Sequence, residues 1–503
     1  MGAIVGLRRG FASTLARSET SHVPEFYESV QFSKSRLTDF GELPRGEIPN
    51  ALKYSPAHSH IRLSNGVQVV TESYPGEVTS VSVFIKAGSR FETIETSGAS
   101  HFLTYYLARS SKLRNRNEFR ESLDELGVSV EVTTGRELIG LTIKCNSQDV
   151  HKAIELLAEA ISQPDFNSNQ VEADKEFVHR QNLDVCRDQF RFLREALFYT
   201  AFREHMIGQS EFGIRDNIPN LKAADLEQFH SQNFVGNNVV FVVSGKADCS
   251  LVYDTVQKHT HTLAAELQGE QNNSVRPRLT PVVMVQRDDE MYNLNHASGF
   301  LAPAFGADNF FPLKFFEKIL GDYNAETDGV AHLNAVRLVT NPLHAFWSAT
   351  TGIHLGHTKY EAFSDVGLFS LYVHGNDYWG KEMFYGLNYI ASRYSLFIDQ
   401  YNIFRGRALL FNELLQQRAS KELNEDIAKE IFYIGRRITR TEYAFRYSNL
   451  ADAKELQPAL KSFFYNKEVA MASWGPEHNI SNFAYYGINV NKSTRSNALN
   501  LIG

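Results

Sequence analysis

One pattern in this sequence occurs twice, once in each half of the chain, and it constrains the fold more than any other feature. A helix-like stretch, LKAADLEQFH at 221–230, precedes an apolar run at 239–244 that ends before Gly245. A second such stretch, LQPALKSFFY at 456–465, precedes the run at 469–474 that ends before Gly475. A repeated supersecondary unit indicates an internal duplication. We therefore predict two homologous halves.

The residues between these landmarks predict a mixture of helices and strands. Alternating apolar positions indicate strands, and apolar positions three and four apart indicate helices. The strand positions are Val67, Val69 and Thr71, then Val81, Val83 and Ile85; the helix positions are Val150, Ala153, Ile154, Leu157 and Ile161. Asn65-Gly66 predicts a hairpin turn, and Gly127 is placed to end a helix. The first half is thus predicted to be α+β, over residues 59–265.

The second half begins with similar signals. Residues 282–286 and 294–302 predict strands on either side of a turn at 287–289, and residues 310–320 predict a helix that ends at Gly321. A polar segment rich in Gln and Asn, residues 266–278, predicts a linker between the halves. The second domain is then residues 279–490, and 491–503 form a C-terminal tail. A chain of 503 residues exceeds what one hydrophobic core serves, in agreement with two domains.

The N-terminus has the composition of a mitochondrial targeting segment. Residues 1–18 hold Arg8, Arg9 and Arg17, small and hydroxylated residues, and no acid. Residues 19–58 then predict an extended arm. The net charge of -7 is mild and no basic block indicates nucleic-acid binding. Cys145, Cys186 and Cys249 lie too far apart for a disulfide framework, and no apolar run reaches the ~18 residues of a membrane span.

Residues 101–105 read His-Phe-Leu-Thr-Tyr, in a helical frame that suits the inverted zinc motif His-x-x-Glu-His. In that motif two imidazoles one turn apart bind the metal, and the Glu takes a proton from the metal-bound water. Thr104 stands at the position of the base, and a hydroxyl is no base near neutral pH. Tyr105 stands at the second ligand position, and a phenol with a pKa of about 10 is a poor zinc ligand.

The residues around the motif carry a family resemblance. The run AGSRFETIETSGASHFLTYY at 87–106 resembles the pitrilysin-type metallopeptidases. Within them it resembles the branch of the mitochondrial processing peptidase beta subunit and core protein I of ubiquinol–cytochrome c reductase (complex III). Residues 119–127 and 128–137 continue the resemblance, which spans about residues 55–490. It implies two α/β-sandwich halves that form a clamshell-like pair.

The resemblance also locates the remaining positions of the family's site. The third zinc ligand, a Glu, corresponds to Gln181, or to Asn182 if the register shifts by one, and a second family acid corresponds to Asp174. The degenerate positions are therefore His101, Thr104, Tyr105, Asp174 and Gln181. They predict no catalytic residue and no zinc in this chain. We interpret His101 as a structural residue on a partly buried helix; a residual or altered metal site is the alternative.

The resemblance implies a scaffold function in place of catalysis. Residues 321–330 hold too few glycines for the flexible substrate loop of the processing peptidase alpha subunit, and Trp474-Gly475-Pro476 resembles the beta type. The implied role is a non-catalytic core subunit of complex III, on the matrix side of the mitochondrial inner membrane. The expected partners are a homologous core protein and the cytochrome b, cytochrome c1 and Rieske subunits, which hold the haem and the iron–sulfur cluster.

A second hypothesis is a non-catalytic partner in a processing-peptidase heterodimer. The presequence would then be bound by the pair or cleaved at the zinc site of the partner. In either case this chain by itself is predicted not to be an enzyme. No serine nucleophile motif or catalytic cysteine context indicates a different hydrolase.

Overall fold

The computed structural model describes residues 27–29, 48–266, 275–328, 342–347, 352–450 and 452–476. The predicted targeting segment (1–18) and C-terminal tail (491–503) lie outside the described residues. So do most of the predicted arm (19–58) and of the predicted linker (266–278).

The first half contains eight described strands and seven described α-helices. The strands are β1 Tyr27–Ser29, β2 Tyr54–Pro56, β3 His58–Arg62, β4 Gln68–Glu72, β5 Val78–Ile85, β6 Val130–Thr133, β7 Ile139–Asn146 and β8 Val239–Ser244. The helices are α1 Ala99–Leu107, α2 Arg116–Leu126, α3 Val150–Ser162, α4 Ser168–Arg187, α5 Gln189–Ala201, α6 Ala223–Asn233 and α7 Cys249–His259.

The second half has a similar mixture of elements. Its described strands are β9 Val283–Arg287, β10 Asn293–Ala302, β11 Tyr323–Asn324, β12 Ile353–Ala362, β13 Gly367–Asn376 and β14 Val469–Gly475. Its described helices are α8 Phe310–Leu320, α9 Ala325–Asp328, α10 Pro342–Trp347, α11 Gly380–Leu396, α12 Gln400–Gln416, α13 Lys421–Ile434, α14 Arg440–Asn449 and α15 Ala453–Phe464.

The topology of the two six-stranded sheets confirms the duplication. The first sheet has the order β3-β4-β8-β5-β7-β6 and the second has the order β9-β14-β10-β13-β12-β11. The closing strand of each half, β8 or β14, lies inside its sheet. In the first sheet β8 pairs in parallel with β4 and antiparallel with β5. In the second sheet β14 pairs in the same way, in parallel with β9 and antiparallel with β10. The predicted α+β class with two homologous halves is therefore confirmed.

Local signals place several element ends correctly. Asn65-Gly66 lies in the turn between β3 and β4, which pair antiparallel from Arg62↔Gln68 onward. Gly66 has φ 86 and Gly127, which follows α2, has φ 64. Both values lie in the left-handed region where glycine meets no Cβ penalty, so these glycines end their elements for a backbone reason.

Each sheet is covered on one face by a helix from the other half. In one apolar cluster, Leu197 and Phe198 of α5 pack with Leu368 and Ala472 of the second sheet. In another, residues of α13 pack against the first sheet; the members include Leu423, Ile427, Ala428 and Ile431 from the helix with Val70, Phe84, Val240 and Val242 from the strands. The two halves therefore do not have separate hydrophobic cores, because both contribute residues to these clusters.

Buried polar contacts also join the halves, and a cavity lies between them. Asn424 of α13 donates to Ser82 Oγ of β5 at 2.8 Å. The cavity has a volume of about 560 Å³ and is lined by charged and apolar side chains of both halves and by tyrosines of the second half. In the part of the chain that the structure describes, no helix is long and apolar enough to cross a bilayer.

Candidate functional site

The residues of the degenerate motif lie on α1, and a buried carboxylate holds the start of that helix. Glu92 accepts hydrogen bonds from the backbone N–H of Gly98 at 2.9 Å and of Ser100 at 2.7 Å. A negative group is favoured there because the first N–H groups of a helix have no partner within it. Burial raises the pKa of Glu92 to about 7. The start of α1 is therefore held by Glu92, which lies seven residues before the first residue of the helix.

His101 is enclosed by aromatic rings. Its ring centroid lies 5.1 Å from that of Tyr105 and 5.3 Å from that of Phe212, both in edge-on geometry. The side chain is buried, and neither ring nitrogen has a hydrogen-bond partner in the described structure. Burial lowers the pKa of His101 to about 4. The imidazole is therefore neutral at neutral pH and packs as an apolar ring.

The two residues that replace the base and the second ligand are engaged in ordinary structural contacts. Thr104 Oγ1 donates to the backbone oxygen of Ser100, one turn earlier, at 2.7 Å. Burial raises the pKa of the Tyr105 hydroxyl above its usual value, against the opposing effect of a hydrogen bond with Gln181. The phenol therefore stays protonated, and neither side chain can accept a proton from water or supply an anionic ligand.

The family acid position at Asp174, on α4, is neutralised by two arginines. Its carboxylate lies 2.9 Å from Arg109 Nη1 and 3.1 Å from Arg116 Nη1, and Arg116 Nη2 makes a further short contact. The Asp174 side chain is largely buried. A carboxylate held in this way joins α4 to the segment that contains α1 and α2.

The sequence left open whether Gln181 or Asn182 replaces the third ligand, and the structure gives the two amides different contacts. Gln181 reaches Tyr105, and its Oε1 is buried without a hydrogen-bond partner. Asn182 Nδ2 donates to the backbone oxygens of Phe212 and Gly213, each at 3.1 Å. Neither amide supplies the carboxylate that the family site requires.

The loop that carries Phe212 was not singled out from the sequence. Gly213 has φ 80, and a Cβ built there would lie 2.2 Å from the Cα of Gly98. The backbone N–H of Ile214 donates to Ser97 Oγ at 3.2 Å. The loop therefore packs on the residues that immediately precede α1. An aromatic residue before a glycine is too common a pattern to reveal such a contact in advance.

The side chains at the family's metal positions do not fit zinc. Zinc in proteins takes thiolate, imidazole and carboxylate ligands, usually four in tetrahedral arrangement. Here the neutral ring of His101 is joined by the phenol of Tyr105 and the amide of Gln181, and the hydroxyl of Thr104 stands at the position of the base. Among the described residues no three His, Cys, Asp or Glu side chains are grouped so that they could hold a metal ion.

Comparison with known families identifies the family of this chain. Residues 68–213 match the family model described as insulinase (peptidase family M16), and residues 220–378 match the one described as the peptidase M16 inactive domain. The chain belongs to the M16 peptidase family. The resemblance to pitrilysin-type enzymes is thereby confirmed, and all five degenerate positions lie within the first match.

Individual M16 relatives indicate the same branch. The cytochrome b-c1 complex subunit 1 of Bos taurus is 24% identical over 432 residues, which cover 85% of this chain and 88% of the relative. The mitochondrial-processing peptidase subunit beta of Lentinula edodes is 23% identical over 437 residues, with 84% and 91% covered. A chain of complex III2 from Candida albicans, solved with Inz-5 bound, superposes with a TM-score of 0.73 at 20% identity, covering 85% of this chain and 98% of that chain.

Proposed function

We propose that this M16 chain is a non-catalytic core subunit of mitochondrial ubiquinol–cytochrome c reductase. It pairs with a homologous core protein on the matrix side of the inner membrane. The observation that carries the proposal is the state of the former zinc site, where His101 is neutral, buried and packed between aromatic rings. The similarity to the bovine cytochrome b-c1 complex subunit 1 supports the choice of complex.

The chemistry of peptide hydrolysis explains why these contacts argue against catalysis. A metallopeptidase needs a metal to lower the pKa of water and a general base to take its proton. The Thr104 hydroxyl donates a hydrogen bond to a backbone carbonyl, and the Asp174 carboxylate is bound by Arg109 and Arg116. The chain therefore contributes by its surfaces. Contact with the membrane, and proximity to haem and to the iron–sulfur cluster, come through the cytochrome b, cytochrome c1 and Rieske partners.

The test is purification of the tagged chain from its native cells without denaturation. We expect a homologous M16 subunit, cytochrome b and cytochrome c1 to co-purify in constant ratio, and this chain to hold no zinc after separation from its partners. Recovery as a free protein with one tightly bound zinc would contradict the proposal.

The second candidate is the non-catalytic half of a processing-peptidase heterodimer. It is favoured by the similarity to a mitochondrial-processing peptidase subunit beta and by the cavity between the halves. Charged side chains of both halves line that cavity together with apolar residues; the charged ones include Arg194, Glu361, Asp426 and Lys429. A cavity of about 560 Å³ with mixed charged and apolar walls is large enough to hold part of an extended peptide.

Cleavage of a presequence peptide by the purified complex distinguishes the two candidates. A peptidase pair loses cleavage when the zinc ligands of the partner are substituted, and keeps it when His101 is replaced by Phe. A scaffold cleaves nothing in either case. Loss of cleavage on His101→Phe in a complex that stays assembled would place chemistry in this chain and contradict both candidates.

A further inference from the structure

We propose that Phe212 occupies the space beside His101 that a metal ion would need, so that this site stays closed to zinc even when its ligands are restored. The inference rests on the proposed function, in which the chain holds no zinc, and adds the residue that maintains this state. Phe212 lies outside the family's ligand positions, in the loop between α5 and α6.

The first step is the contact between the two rings. The centroids of His101 and Phe212 are 5.3 Å apart and their planes are inclined at 78°. This is the spacing of two aromatic rings in edge-to-face contact. Zinc binds about 2.0–2.1 Å from an imidazole nitrogen and brings further ligands with it. Rings in contact leave no gap between them for an ion with its ligands.

The second step is that Phe212 is held on two sides. Asn182 of α4 donates to the backbone oxygens of Phe212 and Gly213. On the other side the backbone of Gly213 packs directly on Gly98, and Ile214 donates to Ser97. The loop is therefore fixed both to α4 and to the segment that leads into α1. Moving the ring away from His101 would break buried backbone contacts.

The third step concerns the unpaired polar atoms at the site. Both nitrogens of His101 and Oε1 of Gln181 are buried without hydrogen-bond partners. Buried polar atoms normally have such partners, and an open metal or water site would supply them. Their lack of partners in the described structure is what results when an aromatic ring fills a site that was built for polar ligands.

The experiment restores the ligands and then removes the ring. The triple variant Thr104→Glu, Tyr105→His and Gln181→Glu recreates the His-x-x-Glu-His motif and its third carboxylate. We expect it to hold less than about one tenth of a zinc per chain after equilibration and desalting, whereas adding Phe212→Ala raises this to about one. Cobalt(II) provides a spectroscopic check, because a tetrahedral site gives strong visible absorption.

The matched control is Phe166→Ala in the same triple variant. Phe166 stacks on Tyr106 of α1 with centroids 6.1 Å apart, but no ring contact joins it to His101 or Tyr105 among the described residues. We expect no gain of zinc from Phe166→Ala. Full zinc binding by the triple variant alone would overturn the role of Phe212. So would a folded quadruple variant with Phe212→Ala that binds no zinc.

A second measurement keeps the inference testable if the multiple variants do not fold. In the otherwise native chain, Phe212→Ala should expose His101 to diethyl pyrocarbonate and increase its modification about tenfold, since the side chain is now 1% exposed. Phe166→Ala should leave that modification unchanged, and equal modification in both variants would contradict the inference. Zinc in the native chain would instead contradict the proposed function, so the two failures are distinguishable.

Discussion

Arg437 Nε lies 2.7 Å from Glu72 Oε2, and this ion pair joins the two halves of the molecule inside the protein. Arg437 follows α13 in the second half, whereas Glu72 ends β4 in the first. Both side chains are almost wholly buried, and Arg437 also pairs with Glu430 at 2.7 Å. A single guanidinium thus pairs with two buried carboxyl groups and binds α13 to the first sheet.

Replacing Arg437 by Met should lower the free energy of unfolding by about 3–5 kcal/mol, because it leaves buried carboxylates without a countercharge. Urea unfolding followed by circular dichroism measures the effect. Arg180→Met is the control, since Arg180 pairs with Glu176 on the surface of α4 with both side chains more than two-thirds exposed. It should cost less than about 1 kcal/mol. Equal losses would show that the interior pair does not join the halves.

The exchange of α5 and α13 between the sheets predicts that the halves fold together. A fragment of residues 48–266 expressed alone contains the first sheet but lacks α13, which covers that sheet. A fragment of residues 275–476 contains the second sheet but lacks α5. Each exposed apolar sheet face should cause aggregation. Co-expression of the two pieces should yield a soluble complex of one copy each by size-exclusion chromatography. A monomeric, cooperatively unfolding piece on its own would contradict the prediction.

His101→Phe should make the stability less dependent on pH. The pKa of His101 is about 4 in the folded chain, against 6.5 when exposed. Between these values the unfolded chain binds a proton that the folded chain does not. Because of His101, the free energy of unfolding should therefore decrease as pH falls from 6.5 towards 4, by about 1.4 kcal/mol per pH unit at most. Urea midpoints across this window should show a shallower slope in the variant. At pH 7 the change should be neutral or stabilising, because the ring nitrogens lack partners.

His230→Phe is the informative comparison for that experiment. Burial also lowers the pKa of His230 to about 4, so the slope between pH 4 and 6.5 should fall by a similar amount. His230 Nε2, however, lies 2.8 Å from the backbone oxygen of Ile161. Its replacement should cost about 1 kcal/mol at pH 7 because a buried carbonyl loses its donor. If His101→Phe proved equally costly at pH 7, His101 would have a polar partner after all.

Glu92→Ala should destabilise α1 and with it the whole first half. The change leaves the buried N–H groups of Gly98 and Ser100 without acceptors and should cost about 1–3 kcal/mol, measured as a lower urea midpoint. Glu95→Ala is the control three residues away, at an exposed position. It should leave the midpoint unchanged. An unchanged midpoint for Glu92→Ala would mean that other contacts position the motif helix.

Much of the secondary structure could be predicted because its signals are local. The helix predicted at 310–320 and the strand at 239–244 agree with α8 and β8, since each apolar pattern is followed by a glycine at or next to its end. The predicted repeat was correct for the same reason: a helix followed by an apolar strand and glycine is short, contiguous and recognisable twice. Element order and duplication were therefore accessible without coordinates.

The candidate site was only partly accessible. Thr104 and Tyr105 could be placed because a helical motif keeps fixed spacing, and Asp174 and Gln181 followed from the family resemblance. Three contacts could not be predicted: the pairing of Asp174 with its arginines, the hydrogen bonds from Asn182 to the loop that carries Phe212, and the contact of Phe212 with His101. Each of these joins segments that are distant along the chain, and no short pattern records which distant side chains meet.

The sequence by itself determined that this chain is a duplicated α+β protein in which Thr104 and Tyr105 stand at the base and second-ligand positions of a zinc motif, because those features depend on residue identity at fixed local spacing. Only the tertiary structure decided that Phe212 packs on His101 and that each sheet is covered by a helix from the other half. Both outcomes depend on burial and on contacts across long sequence separations, where packing selects among many apolar residues that look alike in sequence.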